Sequence, residues 1–401
     1  MGEKTAGIQI TDRDPHSITF YDLFDYAASC NYSAAIWRLP SEGFARMIVD
    51  VSGRTDKIKV DLEEGGQGFV FSPFMNLDNT GSFIIRNDLE FTEGNEMVFS
   101  QSLSYERVKE ILEEISSFPE KPKGGFSYPD LPKPEAISRE SYEEMVKKAL
   151  DTFDEDRFQK VVLSRTRQIA LPARFHPLNT FRELCSRYPN AFVSISAIPS
   201  VGIWIGASPE ILISVDRNKI FRTAAVAGTQ LYNPSVDLLD VAWTQKEIEE
   251  QAMVSRYIVN CFKKIRLREY EEVGPRTARA GNLAHLKSDF IVDMQATGFP
   301  QLGTVMLGLL HPTSAVCGVP RQTALDFIMR NENYDRGFYS GYLGPMNMNG
   351  ETHLYVNIRC MQLFENEATL YAGAGVTLGS KPEKEWEETE FKMNTMLEAL
   401  Q

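Results

Sequence analysis

The chain has 401 residues, 43% hydrophobic and 24% charged, an ordinary globular composition long enough to bury a core without disulfides or metal staples. Its formal charge of -13, from 42 basic and 55 acidic side chains, argues against a nucleic-acid-binding face, and any anionic ligand must be met by a few local cations. The five cysteines form no CxxC pair, no apolar run approaches the roughly 20 residues of a bilayer span, and the start MGEKTAGIQITDRD has no signal-peptide core; zinc, disulfides and membrane insertion are disfavoured, and a cytoplasmic protein is expected.

Residues 1–117 mix strands and helices. Phe44–Val51 and Gly68–Phe71 read as strands, and Ser102–Ser117 as a helix with Val108, Ile111, Leu112 and Ile115 on one face. Phe118–Pro134 carries five prolines and two glycines in 17 residues and reads as a connector closing an N-terminal portion, residues 1–137. From Ser138 the character changes. Ser141 with Glu144 predicts a capping box for a helix through about Thr152. Strand signals follow at Lys160–Leu171, Ala191–Ala197, Gly202–Gly206, Ile211–Val215 and Lys219–Thr223, close enough for an antiparallel meander. A long helix spans Thr244–Lys264, strands lie at His353–Leu363 and Thr369–Gly373, and a last helix runs from Pro382 to Leu400. Strands and helices in separate runs point to an α+β fold.

Alternation along QKVVLSRTR puts Lys160, Val162 and Ser164 on one strand face and Val161, Leu163 and Arg165 on the other. A lysine entering an apolar strand is either an edge-protecting charge or an inward functional amine. Glu210 follows Pro209 and opens the strand EILISV. A carboxyl there is usually solvated; enclosed, it becomes an acid whose pKa desolvation raises. On the two helices, Glu247 and Glu250, and Glu385 and Glu388, stand three residues apart, with Lys392 four beyond Glu388, so each set shares a face. Such faces turned together make an all-oxygen nest suited to Mg²⁺; turned outward they are solvated charge. YAGAGV, Tyr371–Val376, lacks the third glycine of a dinucleotide fingerprint but can present N–H groups to a carboxylate, as can the small-residue turn Ala227-Gly228-Thr229. Arg359, within the apolar strand NIRCMQL, needs an anionic partner if buried. His285 and His311 each read as satisfied structural histidines unless a site claims them.

KVVLSR (160–165), GASPE (206–210), AGT (227–229), KEIEE (246–250), HPTSAVCGVP (311–320), YSGYLG (339–344), IRC (358–360), AGAGV (372–376) and EWEET (385–389) occur in an order and at spacings that resemble the chorismate-utilising enzymes. That family comprises isochorismate synthases, salicylate synthases and the large chains of anthranilate and aminodeoxychorismate synthases. The resemblance covers residues 138–401. It implies an anthranilate synthase component I-like α+β fold: one large domain of stacked antiparallel sheets with outer helices and two pseudo-symmetric halves. Residues 1–137 would be built into it, with 138–401 as the chorismate-binding core.

In that family, members using water carry lysine at the position of Lys160, and aminating members usually carry glutamine there. The resemblance therefore implies a magnesium-dependent isochorismate synthase. Glu250 and Glu388 would hold Mg²⁺, supported by Glu247 and Glu385. Lys160 would deprotonate a water that attacks C2, and Glu210 would protonate the departing C4 hydroxyl. Arg359, near Tyr339 and Tyr371, would take the enolpyruvyl carboxylate. Gly228, Thr229, Gly373 and Lys392 would complete the substrate contacts, with His285 near the ring. No glutaminase subunit and a monomer are implied. A salicylate synthase, which goes on to eliminate pyruvate, is the first alternative and uses the same two catalytic groups. An aminating subunit is the second; Lys160 and the absence of an LLES-type segment argue against it. Isochorismate feeds menaquinone and siderophore synthesis alike. The chain departs from the family pattern at Ala225, Gln251 and Ala284, where proline, histidine and often tryptophan stand.

Overall fold

Along Ser33–Arg38 every residue is buried, because the strand has protein on both faces. Ala34 and Ile36 point to a layer of helices, and Ala35 and Trp37 to a second sheet. The same alternation recurs in the strand Gly202–Ser208, where Ile203 and Ile205 face helices and Trp204 faces the other sheet. This computed structural model describes residues 18–93, 97–117, 131–154, 158–233, 235–280 and 283–400. Its layers run helices, sheet, sheet, helices.

The first sheet has the strand order Gly318–Val319, Lys160–Ala170, Glu367–Val376, Cys360–Leu363, Gly202–Ser208, Phe192–Ile198, Ser33–Arg38, Arg46–Asp50, Leu89–Thr92 and Met97–Phe99. The second runs Glu271–Ala280, Leu283–Asp293, Ile220–Leu231, Ile211–Val215, Thr352–Val356, Tyr342–Met346, Gly68–Ser72, Ser82–Arg86 and Lys57–Ile58. Neighbours pair antiparallel, as in Ala35 opposite Ser196 and Leu343 opposite Phe71. Strands from before residue 100 thus lie in both sheets.

Aromatic side chains fill the space between the sheets. Phe192 stacks on Tyr355 at 4.2 Å, and Phe71 on Phe338 at 4.4 Å. Outside the first sheet lie the helices Phe20–Ser29, Tyr105–Ser117 and Pro177–Arg187; Gln245–Lys264 and Leu302–Leu310 cover the second, and Arg321–Asn331 packs on Lys160–Ala170 and Gly318–Val319 at one end of the first. Among the described residues no helix is long and apolar enough to cross a membrane.

Several local expectations are corrected. The helix beginning at Arg139 is capped by Ser138, whose hydroxyl accepts from the Ser141 N–H at 3.2 Å; Ser141 therefore lies inside the first turn. His353–Leu363 is not one strand. It divides into Thr352–Val356 in the second sheet and Cys360–Leu363 in the first, and Arg359 stands between them with φ of 51°. Ala227-Gly228-Thr229 is not a turn. It is an irregularity inside the long strand Ile220–Leu231, where Gly228 at φ of 66° displaces the register against Leu283–Asp293. The strand predicted over Thr369–Gly373 runs on through the rest of YAGAGV to Val376, so this segment is strand throughout. Residues 118–130 of the predicted connector lie outside the described residues.

Candidate active site

Two of the passages that the chain makes between the sheets lie side by side. After Gly202–Ser208 it steps through Pro209 and Glu210 into Ile211–Val215. After Thr352–Val356 it steps back through Asn357–Arg359 into Cys360–Leu363. The two crossings are tied together: Ala207 N–H donates to the Arg359 carbonyl at 3.0 Å, and Val356 N–H to the Glu210 carbonyl at 3.0 Å. Gly206 is required for this approach, since a Cβ there would lie 2.9 Å from the Cys360 Cβ. One seam in the fold therefore carries Glu210 and Arg359 side by side.

A pocket opens at this seam. Lys160, Glu210, Gly228, His285, Tyr339, Arg359, Tyr371, Gly373 and Lys392 line it, together with Glu250 and Glu388. Segments scattered from position 160 to position 392 thus converge. The side chain of Thr229 lies outside the described residues. Glu247 and Glu385 are not in the lining.

Lys160 enters at the start of its strand and is 1% exposed. Its Nζ donates to Glu250 Oε1 at 2.7 Å. Burial pushes Glu250 upward, but Lys160, with Lys392 and Lys246 behind it, holds the carboxyl below its ordinary value. Val162 shares the pocket face with Lys160, and Val161 and Leu163 point into the core, as strand alternation predicts.

Glu210 differs. Burial raises its pKa to about 7, against the opposing pull of Thr313, Lys160, Lys392 and Arg359. The Thr313 hydroxyl donates to its Oε1 at 3.2 Å. Glu210 is therefore poised to hold or release a proton close to neutrality, the property a general acid needs.

Arg359 is buried, and its Nη1 has no hydrogen-bond partner among the described residues. Burial works against its charge, with Glu388 the foremost compensation. Lys392 donates to the Gly373 carbonyl at 2.8 Å and pairs with Glu388 at 2.6 Å. Lys160, Lys392 and Arg359 are thus the local cations a chain of charge -13 needs to receive an anion. Trp204, Tyr371 and Tyr339 form a stacked wall, with centroids 5.1 and 5.4 Å apart, beneath which Tyr371 donates to Gln362 at 3.1 Å.

Burial, with Arg359 nearby, pushes His285 down to about 3, so the ring is neutral at physiological pH. Its Nδ1 lies 3.0 Å from the Gly228 carbonyl, which only accepts, so Nδ1 holds the proton. Burial pushes His311 down to about 4. It bonds the Pro73 carbonyl at 3.2 Å and packs edge-on against Tyr342, a structural role outside the pocket lining.

The metal expectation is met only in part. The helices Gln245–Lys264 and Pro382–Glu398 both bring carboxylates here, but among the described residues no three His, Cys, Asp or Glu side chains converge as a closed cage. Each carboxylate has a lysine instead: Glu250 with Lys160, Glu388 with Lys392, and Glu385 with Lys246 at 2.9 Å. Glu247 closes the helix cap, its Oε2 accepting from the Thr244 N–H at 2.7 Å. Glu385 is 1% exposed, and its Oε2 has no hydrogen-bond partner among the described residues. The two pocket-lining carboxylates, Glu250 and Glu388, are the donors Mg²⁺ would take alongside water and an anionic ligand, at the cost of their lysine contacts.

Thr313 was not singled out from the sequence. It lies in HPTSAVCGVP, but its relevance rests on a contact with Glu210, 103 positions away. Gln251, where the family has histidine, is buried and donates to the Ala225 carbonyl at 3.2 Å and to Ser288 at 3.1 Å, a structural link under the pocket wall.

Residues 79–401 match the family described as chorismate binding enzyme. The Bacillus subtilis (strain 168) protein named isochorismate synthase DhbC is 28% identical over 289 residues, 69% of this chain and 71% of that one. Anthranilate synthase component 1 of Aquifex aeolicus is 27% identical over 272 residues, 66% of this chain and 54% of that one. The solved structure of MenF, the menaquinone-specific isochorismate synthase from Escherichia coli, superposes with a TM-score of 0.73 at 21% identity, covering 96% of this chain and 92% of that one, which establishes a shared fold.

Proposed function

The chain belongs to the chorismate binding enzyme family, and on that premise we propose that it is an isochorismate synthase. The observation that carries the reading is the meeting of Lys160 with a Glu210 that holds its proton near neutrality, in one pocket. Lys160 reacts as the neutral amine, having released to solvent the proton it holds against Glu250, and takes a proton from the water whose oxygen bonds to C2 of chorismate. The ring double bonds shift, the C4–O bond breaks, and Glu210 gives its proton to the departing hydroxyl. Water enters and water leaves, so the net change is isomerisation. Arg359, whose Nη1 has no hydrogen-bond partner among the described residues, receives the enolpyruvyl carboxylate, and Lys392 lies where it can meet a second carboxylate. The Tyr371–Tyr339 wall bounds the ring site and limits bulk water. Mg²⁺ would be held by Glu250 and Glu388 with Glu385 behind them, and supplies Lewis-acid polarisation of the ring carboxylate.

Incubation with chorismate and Mg²⁺, followed by chromatography, is expected to yield isochorismate alone. Salicylate with pyruvate would replace this reading by the synthase–lyase alternative, and a product formed only with ammonia would replace it by the aminating one. EDTA is expected to stop turnover and added Mg²⁺ to restore it; turnover persisting after thorough chelation would remove the metal from the account.

A methyl group at Gly375 would lie 2.9 Å from both Glu250 Oε1 and Lys160 Cε, inside contact distance. Gly375→Ala is therefore expected to displace the ion pair and lower kcat by about 100-fold, the scale of a 1 Å misplacement. The melting temperature should change little, because alanine suits a strand interior at least as well as glycine. Wild-type turnover in this variant would show that the pair's placement does not matter.

A further inference from the structure

Just beyond the end of the helix Arg321–Asn331 lies an ion pair the reaction above does not use. Arg336 and Glu332 have side chains only 2% and 1% exposed. Glu332 accepts from Arg336 Nε at 2.7 Å and Nη2 at 2.5 Å, and from Ser164 N–H at 2.7 Å and Oγ at 3.0 Å. Arg336 Nη2 also donates to the Val162 carbonyl at 2.7 Å, and Nη1 to the Val316 carbonyl at 2.8 Å. Val162 and Val316 both line the pocket.

These two carbonyls belong to different parts of the machinery. Val162 lies two residues after Lys160 on the same strand. Val316 lies three residues after Thr313, whose hydroxyl bonds Glu210. The segments also meet through Val162 N–H and the Cys317 carbonyl at 2.8 Å, so the guanidinium closes the other side of one junction. A buried ion pair adds little net stability over apolar side chains of the same volume. A rigid planar fork across two carbonyls supplies a fixed distance between them, which a lysine ammonium cannot.

We propose that Arg336, with Glu332 as counter-ion, is a positioning residue that sets the spacing between the Lys160 strand and the Thr313 loop, and so between the base and the acid. This rests on the isochorismate synthase reading and extends it to residues that touch no substrate. The groups facing Glu210 are Thr313, Lys160, Lys392 and Arg359, so Arg336 acts on it through the loop.

The experiment is a double-mutant cycle with Arg336→Lys and Thr313→Val, read as kcat, KM and the pH profile of chorismate turnover, with thermal melting as a folding control. Arg336→Lys is expected to lower kcat about 100-fold with KM within about twofold, and Thr313→Val to lower it about tenfold. The double variant should match Arg336→Lys alone, since the loop has already lost its anchor. Both single variants should move the alkaline limb of the profile to higher pH, because loss of the Thr313 hydrogen bond raises the pKa of Glu210. If Arg336→Lys fails to fold, Ser164→Ala, which trims one hydrogen bond from Glu332 and leaves no charge unpaired, enters the same cycle. Multiplicative losses with an unmoved alkaline limb would overturn the proposal while a wild-type enzyme making isochorismate kept the parent reading intact. A wild-type chain inert toward chorismate would overturn both.

Discussion

Lys160→Ala is expected to abolish isochorismate formation, a loss of about 10³-fold or more in kcat, while leaving the chain folded. Lys160 is the buried amine whose strand position faces the pocket, and its truncation removes the only base assigned to the attacking water. The cost to the fold is limited because the partner Glu250 is not sealed: its side chain is 19% exposed, so water can solvate the carboxylate once the ammonium is gone. Lys160→Gln sharpens the test. A glutamine amide can still donate toward Glu250, so melting should recover toward wild type, yet an amide takes no proton from water. Stability restored without turnover identifies the amine as the reacting group. A Lys160→Gln variant that hydroxylates chorismate at the wild-type rate would assign the base elsewhere.

Local geometry is legible where it follows from a side chain's own strand or helix, and hidden where it depends on what the strand meets. Lys160, Val162 and the Glu250 helix could be placed by periodicity, and the structure puts them on one pocket. Spacing alone favoured a solvated surface for the acidic helices; only the ordered resemblance brought Glu250 and Glu388 together. Glu247 shows the limit of the spacing argument. At three residues from Glu250 it shares a helix face, but it is also three residues past Thr244, and the cap takes its Oε2. Arg359 lies in a run that reads as uninterrupted strand, because nothing in NIRCMQL announces a left-handed residue or a change of sheet. Ser33–Arg38 escaped notice for a related reason: a strand buried on both faces shows no polar alternation. Thr313 and Arg336 were invisible because each acts through a partner more than a hundred positions away.

Glu210→Gln yields two expected results with one cause. The carboxyl has an ordinary value of 4.5 and is raised to about 7 by burial, against Thr313, Lys160, Lys392 and Arg359. Between those values the folded chain holds a proton that the unfolded chain has released. Folding stability from this group is therefore fully present below about pH 4.5 and is lost as pH rises toward 7, by on the order of 3 kcal/mol. Glutamine has the shape of the protonated acid and does not ionise, so the variant lacks that slope. Chemical denaturation at pH 5 and pH 8 should find the gap between variant and wild type shifting in the variant's favour at the higher pH. Activity moves oppositely: without a proton to give the C4 hydroxyl, kcat falls by about 10²- to 10⁴-fold. A stability difference that stays level across this range would mean that Glu210 ionises as an ordinary carboxylate. The proton it is assigned to deliver would then be absent at neutral pH, and the acid would have to be sought among other groups of the pocket.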